Sequence, residues 1–273
     1  ADEMGKPFVQ GEAEINKCIW LCNYYIDNAK SYLTPEQIET EFYKSYISFQ
    51  PIGLVFGIMP WNFPFWQVFR YAVPALIVGN GVLLKHASNV QGCANAIEKC
   101  FKDSGFPEHI FKNLQIPSKM VARVIENNKV AGVAFTGSTL IGKIVAKKAG
   151  EFLKKTILEL GGNDPYIILN DANIDNAVKA CIESRLLNTG QSCISAKRII
   201  VTKKNLASFT DKLIQVLKSK VVGDPYREVD VGPLVSLSAR DEVQALVSKS
   251  IQLGARVKLG GKIPRKKGAY YPI

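Results

Sequence analysis

The chain has 273 residues and 30.1 kDa, 47% of them hydrophobic and 22% charged; a compact chain of that mass buries about 73% of its unfolded surface, room for a sizeable core, and its ample Ile, Leu, Val and Phe exclude intrinsic disorder. Six cysteines are far too few for a disulfide scaffold. No apolar run is long enough to span a bilayer, and the opening ADEMGKPFVQGE lacks the basic-then-apolar profile of a signal peptide, so the expectation is a cytoplasmic protein with free thiols and no membrane partner. The net charge of +11 is carried by scattered lysine pairs such as Lys147-Lys148, Lys154-Lys155 and Lys203-Lys204, without the one-sided clustering of a nucleic-acid binder. An anionic small molecule is the expected partner.

In chain order, Ile15, Ile19, Cys22, Ile26, Ala29 and Leu33 recur at steps of three and four, one stripe of an amphipathic helix closed by Pro35. Residues 52–58 read as a buried strand, 64–79 as a helix interrupted by Pro74, 82–86 as a strand, and 89–104 and 119–127 as helices. A strand at 132–135 leads through TGST into a helix ending near Ala149, and strands come next at 156–160 and 166–169. A helix from Asn173, the loop NTGQSC, a strand at 198–201, helices over 205–219 and 239–253, and a short strand at 256–259 complete the pattern. Strands alternating with helices predict parallel βαβ units and an α/β class. The visible seam is Gly161-Gly162.

In open parallel sheets ligands bind at the carboxyl ends of strands, so the residues directly after each strand carry the functional expectation. Glu159 is an acid in the apolar stretch Ile157-Leu158-Glu159-Leu160, on the same strand face as Ile157 and succeeded by two glycines. It is either a solvent-reaching strand-end residue or a functional carboxylate. Cys193, in a loop just after a helix, is placed as a nucleophile would be, although a buried structural thiol reads the same way. The other five cysteines lie in helical patterns and read as core packing; His86 and His109 are isolated, so no zinc site is expected. Ser138 or Thr139 is positioned to cap a helix whose free N–H groups face a phosphate. Asn62 sits between Pro60 and Pro64, a rigid turn presenting an amide, and Lys85 places a cation at a strand's carboxyl end.

Taken together, PWNFP (60–64), KHAS (85–88), FTGS (135–138), LELGGND (158–164) and NTGQSC (188–193), in this order, strongly resemble the aldehyde dehydrogenase superfamily. The texture of the chain is closest to the bacterial succinate-semialdehyde dehydrogenase branch. The resemblance implies a Rossmann-like parallel-sheet cofactor domain over 1–160 and an incomplete α/β catalytic domain over 161–273. Complete members extend past both ends, form homo-oligomers, and carry further cofactor and catalytic elements there. The expectation is therefore a chain shortened at both ends, with an inactive fragment retaining nucleotide binding as the rival reading.

The resemblance also implies roles. Cys193 matches the nucleophile that adds to the aldehyde carbonyl and later carries a thioester. Asn62 matches the amide that, with the Cys193 N–H, receives the oxyanion, and Glu159 matches the base that activates water for deacylation. For the cofactor, NAD or NADP, Lys85 matches the residue at the adenosine ribose, Gly137 and Ser138 the helix start facing the diphosphate, and Trp61 the lining of the cleft. Ser88 stands where strictly NAD-preferring relatives often carry Glu, so NADP is expected to be tolerated. Arg70, a cation in the otherwise apolar helix segment Phe69-Arg70-Tyr71-Ala72-Val73, needs an anionic partner or a route to solvent, and a structural salt bridge reads the same way. By the resemblance, eight residues past Asn62, it matches an arginine that receives the substrate's carboxylate, while a second arginine found in some relatives falls at Leu187 here, with Arg185 two residues earlier. No metal is required.

Overall fold

The computed structural model describes residues 1–273. Its elements are α1 (Phe8–Leu33), the two-residue strands β1 (Glu36–Gln37) and β2 (Tyr46–Ile47), β3 (Leu54–Met59), α2 (Trp66–Ile77), β4 (Gly81–His86), α3 (Gln91–Asp103), β5 (Phe111–Asn113), α4 (Val121–Glu126), β6 (Val130–Thr136), α5 (Thr139–Glu151) and β7 (Lys155–Glu159). After these come β8 (Pro165–Ile168), α6 (Ile174–Leu186), β9 (Arg198–Val201), α7 (Leu206–Lys218) and α8 (Leu237–Gln252).

The chain divides into two compact units, one of residues 13–161 and one of residues 1–12 with 162–273. The resemblance puts the first domain at 1–160, whereas residues 1–12 belong with the second unit. Gly5 accounts for this: its φ is +78°, and a Cβ there would fall 2.7 Å from the Pro233 carbonyl oxygen, so only glycine lets the segment lie so close. The Phe8 N–H then donates to the Pro225 carbonyl at 2.8 Å.

Within residues 13–161, five parallel strands lie in the order β5-β4-β3-β6-β7. Alternate residues serve opposite faces. Met59, Val82, Leu84 and Ala134 meet Val68, Ala72, Ala94, Ile97 and Phe101 of α2 and α3. Phe56, Val133 and Phe135 meet Ile125, Val145 and Ala149 of α4 and α5. Both faces are thus covered, as the near-continuous apolar runs of these strands demand. Gly57 of β3 fixes the seat of α2: a Cβ there would lie 2.0 Å from the Tyr71 ring, whose hydroxyl donates to the Leu83 carbonyl at 3.2 Å. Desolvation pushes the Tyr71 phenol pKa far up, so it stays a neutral donor.

The second unit is built on a smaller sheet. β8 and β9 pair in parallel, and Ile168, Val178, Cys181, Ile182 and Phe209 bring α6 and α7 against them.

Three local expectations are corrected. The stripe Ile15, Ile19 and Ile26 is solvent-facing; the inward residues of α1 are Glu14, Cys18 and Leu21, offset by one position. Glu14 sets that rotation, because its carboxylate accepts from the Phe65 and Trp66 N–H groups at 2.8 and 2.9 Å. Cys100 is exposed, not core. Residues 256–259 form no strand: Arg256, Val257 and Lys258 are exposed and no neighbouring strand pairs with them. No helix is long and apolar enough to cross a membrane.

Candidate active site

The strand order places β3 between β4 and β6, so the chain leaves β3 toward one side of the sheet and returns on the other. In such sheets the crevice outside the carboxyl ends at that reversal is the ligand site. The segments after β3, β4 and β6 meet this condition. After β3 come Pro60, Trp61 and Asn62, with Trp61 and Asn62 half-buried. This loop is held from two sides. Glu14 satisfies the first N–H groups of α2 and sets a negative charge at its positive end. His86, fully buried, donates from Nε2 to the Pro64 carbonyl at 2.9 Å, while its Nδ1 accepts from the Ala87 N–H at 2.9 Å. In the sequence His86 stands isolated; its spacing from the proline-bracketed turn gives no sign of the contact.

Lys85 is 9% exposed, one residue before the end of β4. No carboxylate or carbonyl of the chain accepts from its ammonium, and desolvation lowers its pKa. A buried cation without a partner is an incomplete structure that an anionic or hydroxyl-rich ligand completes. Ser88, exposed, opens the short 3-10 turn directly after β4. Beyond β6, Gly137 donates its N–H to the Glu159 carbonyl at 3.0 Å, and a Cβ on it would fall 2.5 Å from the Phe135 ring. Ser138 is the N-cap of α5, its Oγ accepting from the Ile141 N–H at 3.4 Å. A cationic end of β4 and a capped helix start with a side-chain-free approach are groups that could hold a dinucleotide, the cation its hydroxyl or phosphate oxygens and the helix start its diphosphate.

Glu159 closes β7, opposite Thr136 in the β6–β7 register. Its side chain is 53% exposed and forms an ion pair with Arg70 of α2, Nη1 to Oε2 at 3.5 Å. The Arg70 Nη2 also donates to Thr136 Oγ1 at 3.5 Å. So Arg70, expected to receive a substrate carboxylate, is occupied by the carboxylate expected to act as base. Thr136, which sequence reasoning does not single out, completes the cluster. With both partners partly exposed, such a pair stabilises by at most about 1 kcal/mol.

Cys193 belongs to the other unit, and its loop is built differently. Asn188 and Thr189 have φ of +55° and +58°, and Gly190 has φ of +74°. Three successive left-handed residues, one of them β-branched, persist only where surroundings over-determine them. Here they do. The Asn188 N–H donates to Gln10 Oε1 at 2.7 Å, the Gly232 N–H to Thr189 Oγ1 at 3.1 Å, and the Val235 N–H to Gln191 Oε1 at 2.9 Å. Lys197 Nζ donates to the carbonyls of Cys193 and Gly162 at 2.6 and 2.7 Å. The loop thereby presents Cys193 exposed, with its backbone N–H given no acceptor in the chain. Arg185 lies beneath the turn: a Cβ on Gly190 would be 2.9 Å from its Nη2. Leu187 opens the same turn. No group of three or more His, Cys, Asp or Glu side chains could hold a metal ion.

The family model described as the aldehyde dehydrogenase family matches residues 1–272. The chain belongs to that family. It is 44% identical over 271 residues to a protein of Synechocystis sp. named as a probable NADP(+) succinate-semialdehyde dehydrogenase, covering 99% of this chain and 60% of the relative. A succinate semialdehyde dehydrogenase of Escherichia coli, named for NAD(P)+, is 42% identical over 99% of this chain and 59% of its own length. Among solved structures, the succinic semialdehyde dehydrogenase of Streptococcus pyogenes in complex with NADP+ superposes with a TM-score of 0.96 at 37% identity, covering 99% of this chain and 60% of that one. The chain thus spans about 60% of the length of the curated relatives it matches.

Proposed function

We propose that this chain carries the chemistry of an NAD(P)-dependent aldehyde dehydrogenase whose substrate is a carboxylate-bearing aldehyde, succinic semialdehyde. The observation that carries the reading is the convergence, at the carboxyl ends of one parallel sheet, of Asn62 after β3, Lys85 at β4, Gly137 and Ser138 after β6 and Glu159 at the end of β7. The names of the related succinate-semialdehyde dehydrogenases support the substrate class.

In this reading 13–161 is the cofactor unit, and 162–273 provides the nucleophile. The Cys193 thiolate adds to the aldehyde carbon and its carbonyl oxygen becomes an oxyanion. In this reading the Cys193 N–H and the Asn62 amide are assigned as the donors to that charge. When bound, NAD(P)+ supplies the hydride acceptor, leaving the acyl group on Cys193 as a thioester. Glu159, exposed at its strand end, takes a proton from the water that attacks the thioester. Lys85 holds the dinucleotide through its sugar or phosphate oxygens, Ser138 and Gly137 receive the diphosphate, and Trp61 lines the approach. Ser88 adds no negative charge after β4, so a 2′-phosphate is accepted there. Arg70 receives the substrate's carboxylate.

The test is reduction of NADP+ and NAD+ by the purified chain with succinic semialdehyde, monitored at the absorbance of the reduced nicotinamide. Turnover that disappears in Cys193→Ser and stalls after one equivalent in Glu159→Gln is the expected result. Absence of reduction with both cofactors, in a chain that still binds NADP+, would overturn the enzymatic reading and leave nucleotide binding alone.

A further inference from the structure

Arg70 faces two demands. It is engaged by Glu159 and Thr136, whereas the proposed substrate would bring a second carboxylate to the same guanidinium. We propose that these are alternatives: the substrate's carboxylate displaces Glu159 from Arg70, so that Arg70 and Thr136 are positioning residues that hold the base in reserve until a carboxylate-bearing ligand arrives. This rests on the reading that Arg70 receives the substrate's carboxylate.

The geometry favours exchange over sharing. The pair is a single contact at 3.5 Å between side chains 34% and 53% exposed, longer than a good charge-assisted hydrogen bond and screened by water. A ligand carboxylate held in the guanidinium fork makes two parallel bonds. The Nη1 and Nη2 groups that would form one such fork are those now turned to Glu159 and Thr136. Two carboxylates on one guanidinium also repel each other, which penalises a ternary arrangement. Glu159 has somewhere to go: it ends β7 and more than half of its side chain faces solvent. Thr136, fixed in register beside it, holds Nη2 in the ligand-free pair, so the incoming carboxylate competes with it as well as with Glu159. The consequence is selectivity in deacylation. An aldehyde lacking the carboxylate leaves Glu159 bound to Arg70, and its acyl group is hydrolysed more slowly, by about two- to fivefold, the range an exposed ion pair supports.

The experiment needs no turnover. The full chain is labelled with carbon-13 at the glutamate carboxyl groups, and the Glu159 resonance is identified by its absence in Glu159→Gln. Butyrate, which has the carboxylate but no aldehyde, is titrated at fixed pH with butyramide as the uncharged control, while butyrate binding is monitored on its own resonances. The proposal expects butyrate to move the Glu159 signal most of the way to its position in Arg70→Leu, butyramide to leave it unmoved, and Arg70→Leu to bind butyrate about tenfold more weakly, the loss of one charge-assisted contact. In Arg70→Lys, a point charge without a fork, Glu159 keeps a partner and butyrate displaces it only at higher concentration. Thr136→Val gives a second variant of nearly unchanged shape, in which butyrate displaces Glu159 at lower concentration. Butyrate binding that depends on Arg70 while the Glu159 signal stays still would overturn the exchange and leave the substrate reading intact. Butyrate binding indifferent to Arg70 would overturn both.

Discussion

Residues 13–161 and residues 162–273 each present a candidate reactive group, a carboxylate and a thiol, by opposite means. Glu159 stands at the end of a regular strand, and its position is set by the β6–β7 register and by a sheet packed on both faces. Cys193 stands on a turn of three left-handed residues held by the Gln10 side chain and by the backbone N–H groups of Gly232 and Val235, which donate to Thr189 and Gln191 of the loop. Around Glu159 the sheet side has regular strand backbone in β6 and β7. The thiol side stores backbone strain, of order 1–3 kcal/mol per residue held in such a region, which bonds from Gln10, Gly232 and Val235 must offset. On the proposed reading, a base that changes partners and a nucleophile held in place match these different constructions.

Substitutions can break this contrast, and the largest effect is expected in the sheet. Gly57→Ala forces the Tyr71 ring from a Cβ that would sit 2.0 Å away and costs about 3 kcal/mol of unfolding free energy through overpacking and the lost Leu83 bond. Urea denaturation measures it, and a loss below about 1 kcal/mol would mean the sheet yields more easily than its packing says. Next is Glu14→Gln, which replaces a carboxylate by an amide at two N–H donors of α2; about 1–2 kcal/mol is expected. Faster amide exchange over 60–70 with β4 unchanged would confirm that the loss is local to the Asn62 loop.

On the thiol side, Gly190→Ala places a Cβ at φ +74° against Arg185 and should cost about 1–2 kcal/mol. Hydrogen exchange should rise over 188–197 and stay constant over 54–59; a rise in both would abolish the distinction between the two constructions. Lys85→Met sharpens the cofactor side by separating stability from binding. Burial lowers the Lys85 pKa, so the native state sheds this proton before the unfolded chain does. Stability therefore rises with pH through the window just below the ordinary lysine value of 10.5. The Met variant should be more stable at neutral pH, flat through that window, and about tenfold weaker for NADP+, by thermal melts and ligand titration. The smallest change is Ser138→Ala: its cap bond is long, 3.4 Å, so about 0.5–1 kcal/mol is expected, with the diphosphate contact reporting as a parallel loss of NADP+ affinity.

Much of the sheet is legible in the chain. Apolar runs such as those of 54–59 and 130–136 stand out because parallel strands buried on both faces leave an uninterrupted signature, and the Ser138 cap needs only its own neighbours. Where the sequence misleads, the deciding partner lies far away. The turn of α1 that faces inward depends on Glu14 reaching Phe65 and Trp66, 51 and 52 residues on, which no helical period encodes. Arg70 is visible as a cation in an apolar helix, but that its partner is Glu159, with Thr136 beside it, depends on a crossing of α2 over the sheet that Gly57 permits.

By itself, then, the sequence determined which residues could do chemistry and the class of fold that would carry them, because side-chain type and apolar periodicity are local properties. Tertiary structure alone decided which of those residues are already engaged with one another and which stand ready for a ligand. Arg70 is engaged by Glu159, while Lys85 is buried without a partner. The physical reason is that charge pairing and desolvation act through space over a few ångströms, and residues 89 positions apart along the chain become neighbours only once the sheet is assembled.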